Sequence, residues 1–358
     1  MSLEVIELGD PRWGGIVSRG QADIGYCEEF CRFRLTDSDG RALMFYFQDE
    51  LGDVFDVTLA KDISRLPFFA AVADQFPFKP VDLTSPEYNG PVFIGNPSRP
   101  EELMRRYRLA VDAYCRNHQV VTEFVRVTPL LPSGAPLAQV ECLQAVSEMV
   151  YVDLRDGYEN ARKNYSSKRR QELNRADRSG ASMRIVPADE ENIVRFAQLY
   201  ESTMRRKQTK SVYFHSLEFF CELFSKLGAR ALLVEAYAKD QLASSTIFFL
   251  GNKRVWAQYE GTVYQLRDMD ANLFKTDRMI AWSAEHGYDY FMLGGGFFSQ
   301  DGPYQYKMRF SRTTAPVQQL RKVHDRALLE RLVAAKAEYE RSRGRVARTD
   351  YFPSYWLE

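Results

Sequence analysis

The segment from residue 254 to residue 310 constrains the fold more than any other part of the chain. Apolar and polar side chains alternate over its first nine residues, which is the pattern of a strand. Apolar residues then recur mostly three or four positions apart over residues 272–286, which predicts a helix with Lys275 and Asp277 on its polar side. The apolar run at residues 288–293 predicts a buried strand. The order strand, helix, strand indicates an α/β domain.

Three consecutive glycines follow the second predicted strand: Gly294, Gly295 and Gly296. Ligands of open α/β sheets usually bind in the crevice at the ends of the strands. Because glycine has no Cβ atom, a substrate in this crevice can contact the backbone directly. Asp301, Tyr304 and Lys307 follow within a few residues and lie within reach of such a crevice.

Length and charge limit the classes of protein and partner. The chain has 358 residues, which is long for one α/β domain and suits two. Its 45% hydrophobic and 27% charged residues are typical of a globular protein. The 48 basic residues equal the 48 acidic residues, so no net charge attracts the protein to nucleic acid or to an anionic membrane. DNA is therefore not an expected partner, and anions are expected only at local basic patches.

The sequence shows no targeting signal, metal motif or disulfide framework. The N-terminal residues lack the pattern of a signal peptide, and no run reaches the roughly 20 apolar residues of a membrane span. We therefore expect a cytoplasmic protein, for which peripheral contact with a membrane stays open. The five cysteines are scattered and the four histidines are isolated, so we expect reduced thiols and no metal site.

The first half of the chain mixes strand and helix patterns. We predict strands at residues 33–35, 42–48, 54–60 and 120–127 and a helix at residues 101–117. Residues 83–93 are rich in turn-forming side chains and are predicted to form a loop. This order of elements fits one domain that ends near residue 150.

A basic segment opens the second half. Arginine and lysine are concentrated over residues 162–178, which include Lys168 and Arg169. Such a charge run is either a solvated helix face or a helix that faces phosphate groups, and the residues alone leave both interpretations open. A further helix is predicted at residues 191–206, followed by strands at residues 231–237 and 243–250.

Several of these segments resemble the Fem family of peptidoglycan-bridge aminoacyltransferases, which is built from GNAT-type folds. The motifs are Leu-Gly-Gly-Gly at 293–296 with Asp301, aromatic-Lys-x-x-Phe at 306–310, a basic helix at 167–176, Tyr-x-x-Thr-x-x-Arg at 200–206 and a Ser-Pro-x-Tyr-x-Gly-Pro loop at 85–91. The first two resemble the end of the family's sequences, and the others are similar to segments that precede it. The resemblance extends over nearly the whole chain.

The resemblance implies an α/β (α+β) fold of two tandem GNAT-like domains, each with a mixed central sheet flanked by helices. The expected domains are residues 1–150 and 151–322, and a C-terminal helix with an aromatic tail covers residues 323–358. An ordinary acetyl-CoA enzyme of this fold carries Gln/Arg-x-x-Gly-x-Gly/Ala after its fourth strand. The nearest match, Gln258 to Val263, lacks the final small residue, which argues against a standard acetyl-CoA site.

The resemblance also implies roles for three residues. Lys307 matches the lysine at the acyl-transfer centre, where an ammonium stabilises the oxyanion of the tetrahedral intermediate. Binding of phosphate or tRNA, or a plain surface position, are the alternatives for this lysine. Asp301 is expected to position the attacking amine or to cap a turn. Arg206 is expected to hold the anionic part of a precursor, although a basic residue in a last helical turn also stabilises the helix dipole.

The remaining substrate contacts are implied in the same way. They are Tyr88, Asn89, Lys168, Arg169, Tyr259, Gly294, Gly295, Gly296 and Tyr304. Two of them belong to the segment 83–93 and two to the basic segment 162–178, so the expected substrate groove draws on both halves of the chain.

The implied function is that of a Fem-like acyltransferase, which transfers an aminoacyl or acyl group to an amine of a cell-wall or surface-polysaccharide precursor. The expected co-substrate is aminoacyl-tRNA or acyl-CoA, without a permanently bound cofactor, and the precursor is linked to a nucleotide or a lipid. No long heptad pair interrupts the second half, so tRNA contact through a coiled-coil arm is not expected. The alternatives are a catalytically silent precursor-binding protein and an acyl-CoA-dependent N-acetyltransferase of a small amine. A monomer or a homodimer is expected.

Overall fold

The computed structural model describes residues 1–36, 40–295 and 302–356. Within these residues the chain forms two compact units. The first unit comprises residues 1–146 together with residues 317–358, and the second unit comprises residues 147–316. The C-terminal segment therefore returns to the unit in which the chain begins.

Eleven elements precede residue 154 in the described part of the chain. They are β1 (Ser2–Glu7), α1 (Trp13–Arg19), α2 (Glu28–Arg34), β2 (Arg41–Asp49), β3 (Gly52–Asp62), β4 (Val81–Asn89), β5 (Val92–Ile94), α3 (Pro100–Asn117), β6 (Val120–Val127), α4 (Gly134–Val140) and β7 (Leu143–Asp153). Helix α3 begins with Pro100 in its first turn and carries Glu101 and Glu102 there, and Arg116 lies in its last turn. These residues complement the ends of a helix.

The remaining strands and α-helices follow in chain order. They are α5 (Tyr158–Lys163), α6 (Ser167–Arg178), β8 (Ala181–Val186), α7 (Glu190–Arg206), α8 (Leu217–Leu227), β9 (Ala231–Ala238), β10 (Gln241–Leu250), β11 (Arg254–Thr262), α9 (Ala271–Glu285), β12 (Tyr290–Gly294), α10 (Gly302–Met308), β13 (Thr314–Val323) and α11 (Arg326–Ser342). The predicted succession of strand, helix and strand at β11, α9 and β12 is confirmed.

The first unit has a mixed sheet with the strand order β1, β2, β3, β4, β6, β13, and β5 pairs with β3. Strands β4 and β6 are parallel, whereas β1 to β4 pair antiparallel and the last residues of β13 pair antiparallel with β6. Tyr107, Val111 and Cys115 of α3 pack with Phe45 and Val54 of the sheet. These residues form part of the core of the unit.

The second unit has a mixed sheet with the strand order β7, β12, β11, β10, β9, β8. Strands β11 and β12 are parallel and the other neighbours are antiparallel. Met279 and Ile280 of α9 pack with Phe248, Val255 and Phe291 of the sheet. This is the GNAT-like mixed sheet flanked by helices that the sequence predicts.

Two predictions for the first half are wrong. Residues 33–35 are not a strand, because α2 extends to Arg34 and buries Phe30, Cys31 and Phe33. Asp37-Ser-Asp-Gly40 is a sequence that predicts a hairpin turn, but residues 37–39 lie outside the described residues. Much of the predicted loop at 83–93 is strand, because β4 runs to Asn89 and pairs with β3 and β6.

The aromatic tail packs on the first unit. The Tyr355 hydroxyl and the Trp356 indole Nε1 each donate a hydrogen bond of 2.7 Å to Asp82 Oδ2. Thr122 donates to the other oxygen of Asp82 from its backbone nitrogen and its hydroxyl, at 2.9 and 2.7 Å. This buried carboxylate thus attaches the tail to strands β4 and β6.

Candidate active site

Strands β11 and β12 separate within the second unit. Over the described residues they pair only from Arg254 to Trp256 of β11, opposite Tyr290 to Met292 of β12. Beyond this point β11 stays paired with β10 up to Thr262, whereas Gly294 of β12 pairs with Val150 of β7. The carboxyl ends of the two parallel strands therefore diverge, which is where open α/β sheets bind ligands.

Lys307 lies at the end of β12. Its Nζ atom donates a hydrogen bond of 2.5 Å to the carbonyl oxygen of Gly295. A Cβ atom on Gly294 would lie 3.2 Å from the same Nζ atom. The half-buried lysine on α10 thus places its ammonium beside the glycine turn and not in bulk water.

The glycines of this turn contact protein atoms closely. Gly294 has a φ of +83°, a conformation that favours glycine. A Cβ atom on Gly295 would lie 2.9 Å from the carbonyl oxygen of Glu148, so a side chain there would strike the backbone of β7. Packing therefore explains Gly295, and a substrate contact at Gly294 or Gly295 stays a prediction. Gly296 and Asp301 lie outside the described residues.

Tyr304 belongs to the same corner of the unit. It is buried, and its hydroxyl donates a hydrogen bond of 2.9 Å to Glu148 Oε2. Burial and then this hydrogen bond raise the pKa of Tyr304. Tyr304 and Lys307 thus both lie near residues 148 and 295, and the structure brings these two predicted site residues together.

The structure does not support direct phosphate binding by Arg169. Its side chain is buried, and the guanidinium lies against the rings of Tyr306 and Phe310, at 4.5 and 4.1 Å from their centres. It also donates to the Tyr306 carbonyl at 3.0 Å and pairs with Glu172 at 3.1 Å. Burial lowers the pKa of Arg169. The neighbouring Lys168 is exposed, which fits both the solvated-face and the phosphate-facing interpretation, so its substrate contact stays a prediction.

Arg206 lies at the open end of β11. Its guanidinium donates to the Thr262 carbonyl at 3.2 Å and to the Thr262 hydroxyl at 2.9 Å. The centre of the Tyr264 ring, in the segment that follows β11, lies 5.1 Å from this guanidinium. Arg206 is exposed and held against the end of a strand, so its position is compatible with the predicted contact to an anionic group.

Tyr259 lies on the opposite side of β11 from Glu260, in a cluster of aromatic rings. His215 stacks on Phe219 with 4.1 Å between ring centres, and both rings meet the Tyr259 ring edge to face at 5.2 and 5.8 Å. Tyr200 approaches Tyr259 in the same way at 5.9 Å. Such edge-to-face contacts hold the Tyr259 ring in position. A substrate contact by Tyr259 stays a prediction.

Tyr88 and Asn89 belong to β4 of the first unit. Asn89 is fully buried, and its amide nitrogen donates to the carbonyls of Gly25 and Val57 at 3.2 and 3.4 Å. Its predicted role as a substrate contact is therefore not supported, because the amide holds neighbouring segments together. The Tyr88 ring lies 5.4 Å from the Arg126 guanidinium and is partly exposed.

Sequence reasoning missed two buried charges on α9. Lys275 and Asp277 are buried, contrary to the prediction that both lie on the polar side of the helix. The Lys275 ammonium donates to the Ser244 hydroxyl at 3.0 Å, and Asp277 accepts from the Tyr158 hydroxyl at 2.9 Å. These partners are distant in sequence, so helical periodicity alone could not locate them. The only local signal is that Ala271, Lys275 and Met279 are four residues apart.

The segment between β11 and α9 differs from a glycine-rich phosphate loop. Residues Tyr264–Met269 form a short 3-10 helix, and Asp270 precedes α9 with a φ of +57°. The Asp270 carboxylate accepts a hydrogen bond of 2.6 Å from Arg175 Nε. An acidic side chain at this helix end disfavours pyrophosphate, which is consistent with the missing sequence pattern.

No group of three or more His, Cys, Asp or Glu side chains in residues 1–36, 40–295 and 302–356 is arranged to hold a metal ion. None of the described helices combines the length and the apolar character that crossing a membrane requires.

Comparisons with known proteins identify the second unit. Residues 166–308 match the family model described as an acetyltransferase (GNAT) domain. The structure of FemX matches with a TM-score of 0.68 and 9% identity, over 91% of this chain and 99% of that chain. No match was found among curated proteins.

Two further solved structures match nearly the whole chain. One is the C-terminal domain of a protein assigned as a lysylphosphatidylglycerol synthetase from Agrobacterium fabrum, with a TM-score of 0.52, 15% identity, and coverage of 92% of this chain and 95% of that chain. The other is a conserved protein of unknown function from Bacteroides thetaiotaomicron, with a TM-score of 0.51, 11% identity, and coverage of 89% and 99%. At these identities the structural matches establish the fold. Residues 166–308 thus match an acetyltransferase (GNAT) domain, and the chain shares its fold with FemX.

Proposed function

We propose that the protein transfers an acyl or aminoacyl group to an amine of a cell-wall or surface-polysaccharide precursor. The observation that carries this proposal is the position of Lys307. Its ammonium is held 2.5 Å from the Gly295 carbonyl, at the end of the strand that diverges from β11. A fixed cation at the carboxyl end of parallel strands lies where open α/β sheets bind their ligands.

The proposed chemistry is a direct acyl transfer. The acceptor amine attacks the carbonyl carbon of the donor, and the new C–N bond creates a tetrahedral oxyanion. The Lys307 ammonium stabilises that oxyanion, because a preorganised charge in a partly buried site interacts more strongly with an opposite charge than it does in water. The intermediate then collapses with cleavage of the C–S bond of a thioester donor or the C–O bond of an ester donor. The amine nitrogen loses one proton in forming the amide, and the leaving group takes up one proton.

The acceptor is proposed to carry phosphate or pyrophosphate, as nucleotide- and lipid-linked precursors do. Arg206 supports this part of the proposal, because it is exposed and its guanidinium is already oriented by Thr262. A planar guanidinium can donate two hydrogen bonds to one phosphate group. The Fem resemblance and the fold shared with a protein assigned as a lysylphosphatidylglycerol synthetase both favour an acceptor of the cell envelope.

The donor is proposed to be an acyl thioester such as acyl-CoA. The description of the matching family as an acetyltransferase favours a thioester over aminoacyl-tRNA. The absence of a glycine-rich loop at residues 263–270 means that its pyrophosphate would be bound by groups other than that loop. Aminoacyl-tRNA therefore remains the second donor to test.

The test compares donors and variants in one transfer assay. Wild type, Lys307→Ala and the control Lys226→Ala are incubated with acyl-CoA or with aminoacyl-tRNA, and product is measured on nucleotide-linked precursors that carry an amine. Lys226 is a suitable control because it is partly exposed on α8 and pairs only weakly with Glu222, at 3.6 Å. Lys307→Ala is expected to lower kcat by about 100-fold, the size of the loss of one oxyanion-stabilising group.

Two results would contradict the proposal. One is full activity of Lys307→Ala, which would show that the lysine takes no part in the reaction. The other is the absence of transfer by wild type with either donor, while the precursor still raises the melting temperature of the protein. A ligand stabilises a protein that binds it, so the second result would instead indicate a precursor-binding protein without catalysis.

A further inference from the structure

The connection between α7 and α8 exposes several apolar side chains. Helix α7 ends at Arg206 and α8 begins at Leu217, and residues Ser211–Tyr213 between them form a short 3-10 helix. Single exposed apolar side chains are common on proteins, whereas a group of adjacent ones indicates an interaction surface. This group consists of Val212, Tyr213, Phe214 and Leu217, which are 69, 38, 39 and 37% exposed.

Basic residues lie next to these apolar side chains. Arg205, Arg206, Lys207 and Lys210 are exposed, and no acidic residue occurs from residue 202 to residue 217. Arg205 is paired with Glu201 on its own helix at 2.5 Å. The two lysines and the four apolar residues form what we call the α7–α8 surface: Lys207, Lys210, Val212, Tyr213, Phe214 and Leu217. Its charge is positive, although the whole chain has no net charge.

Aromatic rings hold this connection against the second unit. The Tyr200 hydroxyl donates a hydrogen bond of 2.9 Å to the Tyr213 carbonyl. His215 stacks on Phe219 of α8 with 4.1 Å between ring centres, and it meets the ring of Tyr259 on β11 at 5.2 Å. The exposed side chains of the α7–α8 surface therefore project from a segment that is packed against α7, α8 and β11.

The α7–α8 surface adjoins the open end of β11. Arg206, which contacts Thr262 at that end, directly precedes Lys207. Tyr264 is also exposed, and the guanidinium groups of Arg206 and Arg267 lie 5.1 and 4.0 Å from the centre of its ring. Exposed aromatic and cationic groups thus continue from the α7–α8 surface to the segment after β11, beside the proposed phosphate contact.

An anionic lipid membrane offers a partner for both kinds of side chain. Aliphatic and aromatic side chains are buried at the boundary between headgroups and acyl chains, where tyrosine is enriched. Lysine and arginine are attracted by anionic headgroups. A stable protein interface, in contrast, needs about 20–30 residues on each side. The α7–α8 surface is far smaller than that, so its size and its charge favour a membrane over a protein partner.

We propose that the α7–α8 surface docks the protein on an anionic membrane. Its four apolar side chains enter the boundary between headgroups and acyl chains, and its two lysines contact the anionic headgroups. Arg206 then lies near the phosphate of a precursor that is anchored in the same membrane. In this last point alone the inference rests on the proposed function, because docking on the membrane requires no acyl transfer.

The charged and the apolar side chains are expected to contribute separately to membrane binding. Each lysine close to an anionic surface strengthens binding by about fivefold, so loss of both charges weakens it by roughly 25-fold. Loss of the Val212 and Phe214 side chains is expected to weaken binding by at least about tenfold. Added salt screens exposed charges and should therefore weaken binding of wild type more than binding of a variant without the two lysines.

The experiment measures co-sedimentation of the full chain with vesicles of phosphatidylcholine, alone or with about 30% phosphatidylglycerol, which makes their surface anionic. The test variants are Lys207→Gln with Lys210→Gln, and Val212→Ser with Phe214→Ser.

The controls are Lys239→Gln and Ile185→Ser, because both residues are exposed elsewhere in the second unit, after β9 and on β8. Wild type and both controls should bind the anionic vesicles more strongly than the neutral ones, and both test variants should lose most of this binding. Urea unfolding is expected to give equal midpoints for all variants, because the changed side chains are exposed.

A transfer assay distinguishes the membrane from the precursor as the partner of the α7–α8 surface. Val212→Ser with Phe214→Ser should keep the kcat/KM of wild type on a nucleotide-linked precursor in solution. On a lipid-linked precursor in anionic vesicles the same variant should lose at least about tenfold in kcat/KM. An equal loss on both precursors would overturn the inference, because the surface would then bind the precursor itself.

Vesicle binding provides the remaining decisive outcomes. The inference is overturned if wild type does not bind anionic vesicles, or if Val212→Ser with Phe214→Ser binds them as wild type does. It is also overturned if size-exclusion chromatography shows a dimer of wild type that this variant abolishes, while neither binds vesicles, since a second copy is then the partner. Vesicle binding as expected, together with no transfer to any precursor, would refute the proposed function alone and leave this inference standing.

Discussion

The guanidinium of Arg169 lies 4.1 Å from the centre of the Phe310 ring and is enclosed by protein. Its charge is balanced by Glu172 at 3.1 Å, and Arg309 reaches the other oxygen of Glu172 at 3.2 Å. This arginine links α6 to the segment that follows Lys307. A residue that resembles a phosphate ligand in the sequence therefore acts in the packing of the second unit.

We predict that Arg169→Ala lowers the free energy of unfolding by about 2–4 kcal/mol, because it leaves a cavity beside two rings and removes one partner of a buried carboxylate. Lys168→Ala, at the adjacent exposed position, should change the free energy of unfolding by less than about 0.5 kcal/mol. Urea unfolding of both variants checks this. Equal stability of Arg169→Ala and wild type would contradict the packing role.

The second prediction concerns the glycine turn. Gly295→Ala is expected to cost about 1–3 kcal/mol and to lower transfer activity, because the new Cβ atom must move away from a backbone oxygen. Without such movement the Cβ atom on residue 295 would lie 2.9 Å from the Glu148 carbonyl oxygen. A Cβ atom on Gly302 would meet no atom within 4 Å. Gly302→Ala is thus the control for adding a methyl group nearby. Unfolding and transfer rates that are the same for both variants would argue against close packing at Gly295.

The third prediction is a pH dependence that originates in the first unit. Burial and then the charge of Glu123 raise the pKa of Asp56 to about 7. In the unfolded chain the same carboxyl ionises near pH 4. Between these values the folded state binds more protons than the unfolded state, so the free energy of unfolding falls as the pH rises. The slope for one group is about 1.4 kcal/mol per pH unit, and it flattens above pH 7.

Asp56→Asn removes this titration and keeps a neutral polar side chain. The variant should therefore gain stability relative to wild type between pH 5 and pH 8, as measured by urea unfolding at both values. Asp74→Asn, at an exposed position, should show no such gain. A difference between Asp56→Asn and wild type that is the same at both pH values would show that Asp56 does not change its protonation in this range.

The fourth prediction separates binding from catalysis at Arg206. Arg206→Ala should raise KM for a phosphorylated precursor by about tenfold and leave kcat nearly unchanged, because a phosphate contact is the same in the ground state and the transition state. Arg205→Ala is the control, since the adjacent Arg205 is exposed and pairs with Glu201 on its own helix at 2.5 Å. Steady-state kinetics of both variants provide the test. A lower kcat with an unchanged KM would place Arg206 in the transfer step instead.

The sequence predicts the central elements of the second unit well. Strand β11, helix α9 and strand β12 each repeat a pattern with the period of their own backbone, and the glycines mark the end of β12. The error at residues 33–35 has a local cause, because Phe33 and its neighbours suit a helix that buries Phe30 as well as they suit a strand. Periodicity cannot separate helix and strand in so short a run.

The candidate site is predicted less completely. Tyr304 and Lys307 lie on α10 near the glycine turn and their roles stay predictions, whereas Arg169 and Asn89 are buried in packing roles that motif resemblance did not reveal. The helical spacing of apolar residues predicts Lys275 on the polar side of α9, but the structure buries it. Its partners Ser244 and Thr246 come from another element, 31 and 29 residues away in sequence.

The sequence by itself determined the strand, helix and strand of β11, α9 and β12 and the glycines that end β12, because each depends on interactions between residues close along the chain. Only the tertiary structure decided which charged side chains are buried and which remain at the surface. The free energy of a charge depends on the groups that surround it in space, and those groups are supplied by strands and helices that the chain brings together only on folding.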